Sequence, residues 1–332
     1  MKIQIPDKVN NIIDTIMSHG YEAYIVGGCV RDMVLGKEPE DWDITTSATP
    51  LQIKKIFKRT IDTGIQHGTV TVLLDNDQFE VTTYRLDGIY EDNRHPKEVS
   101  FTSSLTEDLR RRDFTINAMA YNKEEGFIDQ FDGLADLEKG IIRCVGDPDE
   151  RFNEDALRIL RAVRFSAQLD FTIESATLEA IKDKVGFLRN ISAERIRIEL
   201  MKLLVSDHPE RLRLLYETGI TAVVLPEFDK TMTTNQINQY HIYSVGEHII
   251  RTVMEVAGPL AENRFTRKER AILRWTMFLH DIEKSNTITF GEDKQNHFHG
   301  HQDKGATTAK RILKRLKFDN ETLESVVHLV RW

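Results

Sequence analysis

Cysteine is scarce in this chain: two in 332 residues, Cys29 and Cys144, both in apolar surroundings and without metal-ligand spacing. That excludes a disulfide framework or a cysteine-based zinc site and reads the pair as reduced packing thiols. Long apolar runs are lacking too. No stretch reaches the ~18 residues that a membrane span needs, so no membrane partner is expected. The opening "MKIQIPDKVNNIIDTIMSHG" is an amphipathic helix carrying acids and no small-residue cleavage site, and the expected location is cytoplasmic. Internal repeats and low-complexity tracts are missing, which excludes a solenoid. An excess of positive charge is missing as well. With 45 Lys and Arg against 53 Asp and Glu, the net charge of −8 argues against indiscriminate nucleic-acid binding but leaves room for a local basic surface. What is there, 40% hydrophobic and 30% charged residues, suffices for two or three domains with real cores.

Apolar alternation with glycine punctuation marks "AYIVGG", "GTVTVLL" and "FEVTTYRL" as strands. "CVRDMVLG" and "PLQIKKIFKR" read as helices, the second opened by Thr49 and Pro50. After "VGDPDERFNED" the strands stop and the pattern is helical almost throughout. These patterns predict an α+β head, strands with helices, over residues 1–145. An all-α neck and body follow over 146–225, then a further helical domain over 226–332. The last residues, "LESVVHLVRW", stop inside a helical pattern without a capping signal, so the natural chain is expected to continue.

Chemistry concentrates in "YIVGGCVRDMVLGKEPEDWDITT". Residues two apart on a strand share a face, so Asp41 and Asp43 can present two carboxylates side by side. Two like charges that close repel unless a cation lies between them. Glu80, at the start of "FEVTTYRL", can supply a third carboxylate from a neighbouring strand. Three hard oxygen donors suit Mg²⁺, and two ions sharing such ligands activate a hydroxyl and stabilise a leaving pyrophosphate. Gly27 and Gly28 precede a helix, where missing Cβ atoms let a phosphate approach backbone N–H groups. Arg31, one turn on, can hold the same triphosphate bidentately. Alone, a D-x-D is usually a surface pair and a Gly-Gly usually a turn. Their co-occurrence within about twenty residues, with a further acid on another strand, lifts the combined reading above either.

The stretch "GGCVRDMVLGKEPEDWDITTSATP" resembles the G-G-x-V-R-D … D-x-D signature of the class II tRNA nucleotidyltransferase (CCA-adding enzyme) and bacterial poly(A) polymerase family. The similarity continues through "RRDFTINAMAY", "DQFDGLADLEKGIIRCVGDPDERFNEDALRILRAVRF" and "ISAERIRIELMKLL", over roughly the first 225 residues. It implies a nucleotidyltransferase head, a mixed sheet with helices, in which Asp41 and Asp43 hold the metals and Glu80 supports them. One departure is "FDGLADL", where many members have two glycines; little consequence is expected.

In "NEDALRILRAVRF", Asp155 and Arg158 are three apart, expected on one helix face, and the ordinary reading is a local ion pair. Base chemistry offers a sharper one. Cytosine and adenine both present an amino donor beside a ring-nitrogen acceptor, which a carboxylate and a guanidinium match. Guanine and uracil present the inverse and would leave buried polar groups unpaired. The resemblance implies this role for Asp155 and Arg158. Arg161 is read as holding the triphosphate, shaping the base pocket, or lying on a solvated face. In "RRDFTINA" the resemblance assigns Arg112, Asp113 and Asn117 to ribose and phosphate recognition, with Arg110 and Arg111 read as a charged helix end. The segment "RLDGIYEDNRHPKEVSF" resembles the flexible loop of full CCA-adding members, which CC-only relatives lack. "IFKRTIDTGIQHGTVTV" stands where poly(A) polymerases carry an "RRFRL"-like stretch, which favours tRNA addition over tailing.

"YHIYSVGEHIIRTV", "FLHDIEKS", "HFHGHQDKGA" and "VVHLVRW" together resemble an HD domain, the fold of metal-dependent phosphohydrolases. The resemblance makes His248, His280, Asp281 and His301 the ligand candidates. Glu283 replaces the usual glycine after "HDI", and the last expected ligand would fall beyond Trp332. Hydrolysis and tRNA binding both remain readings of this block. The expectation for the whole is Mg²⁺-dependent addition of CCA, or its terminal A, to the tRNA 3′ end from CTP and ATP. Poly(A) polymerase, or an HD phosphohydrolase with a nucleotide-binding head, stands as the alternative. Oligomeric state is left open.

Overall fold

Apolar residues at helical spacing make α1 (Asp7–Ser18), which buries Val9, Ile12, Ile13 and Ile16. The structure is a computed structural model that describes residues 5–88, 99–236, 242–256 and 265–332. Two compact units result, Met1–Asp155 and Ala156–Trp332.

The first unit continues with β1 (Ala23–Val26), α2 (Gly28–Val34), β2 (Ile44–Thr46), α3 (Pro50–Ile56), β3 (Thr60–Gly64), β4 (Thr69–Leu74), β5 (Asp77–Thr83), β6 (Arg85–Asp87) and β7 (Val99–Phe101). Then come α4 (Leu105–Arg110), β8 (Met119–Asn122), β9 (Gly126–Asp129), α5 (Gly133–Lys139), β10 (Ile141–Ile142) and α6 (Pro148–Glu154). Seven strands form one sheet in the order β3-β4-β5-β2-β1-β8-β9. Every pair is antiparallel except β2 with β5, the mixed sheet expected of an α+β head. β1 lies near the middle and is buried at all four residues, which is why its sequence is a continuous apolar run and not an alternation. Helix α3 starts where Thr49 and Pro50 predict: the Thr49 N–H and hydroxyl donate to Gln52 Oε1 at 2.7 and 2.9 Å. The unit runs past its last strand because α6 is tied back to it, Arg151 Nη1 donating to the Arg110 carbonyl at 2.9 Å.

The second unit is helical: α7 (Leu157–Leu169), a two-residue β11 (Thr172–Ile173), α8 (Ser175–Lys184), α9 (Ala193–Leu204), α10 (Leu212–Glu217), α11 (Ile220–Val224) and α12 (Pro226–Thr233). It ends with α13 (Val245–Val256), α14 (Arg267–Leu279), α15 (Lys284–Thr287), the hairpin β12 (Thr289–Phe290) and β13 (Asn296–His297), α16 (His301–Arg315) and α17 (Asn320–Arg331). Trp275 of α14 is fully buried, with Phe278 and Phe318 edge-on at 5.8 and 5.0 Å. Buried Arg274 ties α14 to the end of α9, where Nη1 donates to the Leu204 and Ser206 carbonyls. No described helix is long and apolar enough to cross a membrane.

The departure in "FDGLADL" has a structural correlate. Asp132 lies in the left-handed region (φ 60°, ψ 30°) just before α5, a conformation that Asp tolerates and glycine adopts freely. At the next position, a Cβ on Gly133 would stand 2.4 Å from the Thr115 carbonyl oxygen. Asp132→Gly is therefore expected to leave stability unchanged or raise it by up to about 1 kcal/mol. Gly133→Ala should lower it by about 1–3 kcal/mol. Urea unfolding of both variants measures this, and equal losses would contradict it.

Candidate functional site

The chain leaves β1 at Gly27, whose φ of 79° and ψ of −128° a side chain would strain. A Cβ there would also stand 3.0 Å from Arg112 Nη1, a tight contact that the guanidinium would have to give way to, so conformation requires the glycine and close approach favours it. Its N–H donates to the Met119 carbonyl at 3.1 Å. This corrects the expectation for Gly27: its own amide is committed to the sheet, and any amide offered to a phosphate belongs to Gly28 or beyond, in the first turn of α2.

Asp41 lies in a bend and Asp43 just before β2, so the pair approaches the strand and does not sit on it. Asp43 nevertheless extends the ladder, its carbonyl accepting from Val26 N–H at 3.0 Å. Because Ile44 pairs with Val81 in the parallel register, Asp43 and Glu80 fall at the same level, one residue earlier. β5 starts at Asp77, which makes Glu80 a mid-strand residue on the face opposite buried Phe79 and Val81. Among the described residues, the ligand oxygens of Asp41, Asp43 and Glu80 do not form a set within 4.8 Å of one another. Asp43 is exposed by area, yet burial of its carboxyl in the wall pushes its pKa up; the Arg112 guanidinium opposes that and Asp41 adds to it. Beneath, the Cys29 thiol is pushed up to about 11 by burial, consistent with an inert packing group.

The "RRDFTINA" residues come together with α2. Arg31 is bonded to Asp32 (Nε–Oδ1 2.9 Å) and donates from Nη1 to Asn117 Oδ1 at 2.8 Å. Asn117 Nδ2 donates to Asp113 Oδ1 at 3.1 Å, which also accepts the Phe114 N–H at 2.9 Å. Asp113 and Asn117 are both buried, so the relay from Asp32 to Asp113 is rigid. Arg31, expected to hold the triphosphate, is braced in this wall by Asp32 and Asn117.

Sequence reasoning missed Asp108. It is fully buried in α4. Its Oδ1 accepts from Arg111 Nε and Nη2 at 3.0 and 2.7 Å and from the Arg85 N–H at 3.3 Å. Its Oδ2 accepts from Thr45 Oγ1 at 3.2 Å and Arg112 Nη2 at 3.3 Å. Burial works to raise this carboxyl, but Arg112 and Arg111 outweigh it and hold the pKa below the usual range. Arg110 alone behaves as a charged helix end, exposed and paired with half-buried Glu107 at 2.8 Å. Arg111 does not, being bound to Asp108. The signal was the spacing Asp108-Arg111-Arg112, three and four residues apart across the end of a helix.

Asp155 and Arg158 do not share a helix face. Asp155 follows α6 in an extended conformation (φ −139°, ψ 102°), while Arg158 lies buried in the first turn of α7. The helix breaks between them. Arg161 is half-buried with its guanidinium 5.2 Å from the Phe165 ring centre. The segment 89–98, which holds most of the expected flexible loop, lies outside the described residues.

A second site gathers at helix ends. His248 lies in the first turn of α13, His280 and Asp281 follow α14, and His301 opens α16. His280 Nδ1 is 2.7 Å from the Met277 carbonyl and His301 Nδ1 2.7 Å from the Phe298 carbonyl. Carbonyls only accept, so both rings carry a proton on Nδ1 and turn Nε2 inward, where it offers a lone pair when the ring is neutral and a proton to Asp281 when the ring is charged. The Nε2 atoms of His248 and His280 stand 3.4 and 3.2 Å from Asp281 Oδ2, and His301 Nε2 stands 3.4 Å from Oδ1. Lys284 Nζ is 2.7 Å from Oδ2 and donates to Gln236. Even so, buried Oδ2 has no well-formed hydrogen bond. Burial works to raise the Asp281 carboxyl, but His280 and Lys284 hold it well below the usual range. His248, His280 and Asp281 offer ligand atoms within 4.8 Å of one another, and lone pairs aimed at a common point fit a divalent metal better than they fit each other. Glu283 does not disturb this: its oxygens accept from Thr308 Oγ1 at 2.6 Å and Asn286 Nδ2 at 2.9 Å.

Three families match: the Poly A polymerase head domain over residues 23–143, the probable RNA and SrmB-binding site of polymerase A over 170–232, and the HD domain over 245–332. The CCA-adding enzyme of Lactiplantibacillus plantarum is 47% identical over 269 residues, 80% of this chain and 61% of that protein. That of Limosilactobacillus reuteri is 53% identical over 213 residues, 63% of this chain and 53% of the relative. The chain thus spans about half to three fifths of the length of these relatives. Among solved structures, the Bacillus stearothermophilus CCA-adding enzyme in complex with CTP is 33% identical, with a TM-score of 0.71, covering 97% of this chain and 68% of that one. With that coverage at that identity, and with head, RNA-binding and HD matches in the same order, the chain belongs to the family of class II tRNA nucleotidyltransferases, the CCA-adding enzymes and poly(A) polymerases, in a form that carries an HD domain.

Proposed function

We propose that this chain adds CCA, or its terminal A, to the 3′ end of tRNA from CTP and ATP, releasing pyrophosphate. The observation that carries the reading is the convergence of Gly27, Arg112 and Asp43: a guanidinium over a bare glycine, beside a carboxylate whose charge it partly offsets. Mg²⁺, held by Asp41 and Asp43 with Glu80 in support, would lower the pKa of the attacking 3′-hydroxyl and neutralise the departing pyrophosphate. Hard carboxylate oxygens suit that ion. Arg112 faces the phosphates, and Asp113 and Asn117 fix the wall on which the ribose rests. Asp155 and Arg158 read the amino group and ring nitrogen of cytosine and adenine, a role supported by the sequence they share with the family. In this reading residues 1–145 catalyse, 146–225 recognise the base, and 226–332 form the HD-like part of a cytoplasmic enzyme.

A second activity rests on its own observation, the inward-facing imidazoles around Asp281. We infer that His248, His280, Asp281 and His301 hold a divalent transition metal for phosphoester hydrolysis.

Asp41→Ala and Asp43→Ala should abolish incorporation of labelled CTP into tRNA lacking CCA, with the melting temperature unchanged or raised. Removing Asp41 relieves the like charge that helps push the Asp43 pKa up, and removing Asp43 takes away a carboxylate whose charge burial disfavours. Near-wild-type turnover in either variant would remove the metal assignment. Arg158→Ala should lower the preference for CTP and ATP over UTP by roughly one to two powers of ten, as expected for one charge-assisted hydrogen bond in a closed pocket. kcat/KM for four nucleotides on one primer tests that, and unchanged ratios with a lowered melting temperature would leave Arg158 a structural role only. For the HD site, dialysed wild-type protein should retain about one divalent transition ion per chain and hydrolyse a phosphoester such as p-nitrophenyl phosphate. His280→Ala and Asp281→Ala should lose both while still adding nucleotides. Equal metal content in all three proteins would contradict the site.

A further inference from the structure

Arg111 and Arg112 share Asp108 unequally. Arg111 approaches with two nitrogens at 3.0 and 2.7 Å, both on Oδ1, which leaves Oδ2 to other donors. Arg112 touches the other oxygen with a single nitrogen at 3.3 Å, and that oxygen is shared with Thr45. Its remaining edge is uncommitted: Nη1 stands 3.0 Å from where a Cβ on Gly27 would be, and Nε is buried with no hydrogen-bond partner among the described residues. A buried donor left open is costly unless something in the working protein meets it. The ion pair of Arg112 is made to Asp108, while Asp43 feels its charge from further away. Thr45 is two residues from Asp43 and on the same strand face, so one carboxylate fixes both Arg112 and the strand that presents Asp43.

We infer that Asp108 is a positioning residue for nucleotide binding: its buried carboxylate holds the Arg112 guanidinium at Gly27, open edge toward an incoming nucleoside triphosphate, and keeps it from collapsing onto Asp43. The inference rests on the head being a nucleotide site, as proposed above. Without the Asp108 charge, Asp43, whose charge Arg112 already partly offsets, is left as a carboxylate for it to pair with, and pairing there withdraws the donor from the phosphates and covers a metal-binding oxygen at once. Asp108 touches no substrate in this account; it acts through Arg112.

The test is a double-mutant cycle on CTP binding, read by equilibrium dialysis of labelled nucleotide at a temperature where each variant is folded, with a melting curve alongside. Asp108→Asn keeps the shape and loses the charge. It should weaken CTP binding by roughly tenfold or more. Arg112→Gln should weaken it at least as much, and the double variant should bind no worse than Arg112→Gln alone, because Asp108 has nothing left to position. Losses that multiply, or an Asp108→Asn protein that melts earlier but binds CTP like wild type, would overturn the inference and leave Asp108 a purely structural anchor. If Asp108→Asn does not fold, Thr45→Val takes its place in the cycle. It removes one bond to the same oxygen and should give a smaller loss, again absent in the Arg112→Gln background; a loss that persists there overturns the inference equally. Wild-type protein that binds no CTP would overturn the reading of the head itself, an outcome distinct from an additive cycle in a wild type that binds.

Discussion

A carboxylate without access to solvent stands at the centre of the head, and much of the unit is arranged to make it tolerable. Burying an unpaired charge is prohibitive, so Asp108 requires its full set of donors. Those donors come from separate parts of the chain: Thr45 on β2, the backbone of Arg85 just after β5, and Arg111 and Arg112 beyond α4. The single parallel pair in the sheet, β2 with β5, brings Thr45 and Arg85 to the same place. The same pairing sets Asp43 level with Glu80. Charge compensation and acid alignment are therefore two results of one strand arrangement.

The glycine turn after β1 completes the geometry from the other side. Gly27 spends its N–H on the sheet and leaves its missing side chain as room for Arg112. The relay from Asp32 through Arg31 and Asn117 to Asp113 then stiffens the wall behind it. Substitutions at Arg31 or Asn117 act on the shape of the site before they act on its chemistry. The helical unit gathers charge differently. Its imidazoles are turned inward by backbone carbonyls at two helix ends, a device that fixes lone-pair direction and needs no second carboxylate.

Much of this was legible in the sequence. The strands and helices of the head, the change to helices and the start of α3 follow from patterning and spacing, which report local structure directly, while the mixed sheet and the membership of the His-Asp block came from the family resemblance. What escaped depended on burial or on backbone breaks. Asp108 in "TEDLRRR" carries a local spacing to two arginines, but nothing in the sequence shows that its carboxylate is covered. Asp155 and Arg158 read as helical neighbours because "NEDALRIL" carries no proline or glycine at the point where α6 ends in an extended residue. Gly27 was recognised as a close approach, but the group approaching is Arg112 eighty-five residues later, which only the fold reveals.

The most direct measurement is the sequence of the product 3′ ends when the protein is given tRNA ending before CC, tRNA ending in CC, and an unrelated RNA, each with CTP alone, ATP alone, or both. The account predicts a single A on the CC-ending tRNA when ATP is present. A chain that adds the full triplet also adds two C residues to the shorter tRNA from CTP alone, and then stops at CCA when both nucleotides are supplied. Long A tails on the unrelated RNA, or no extension of any tRNA, would contradict it.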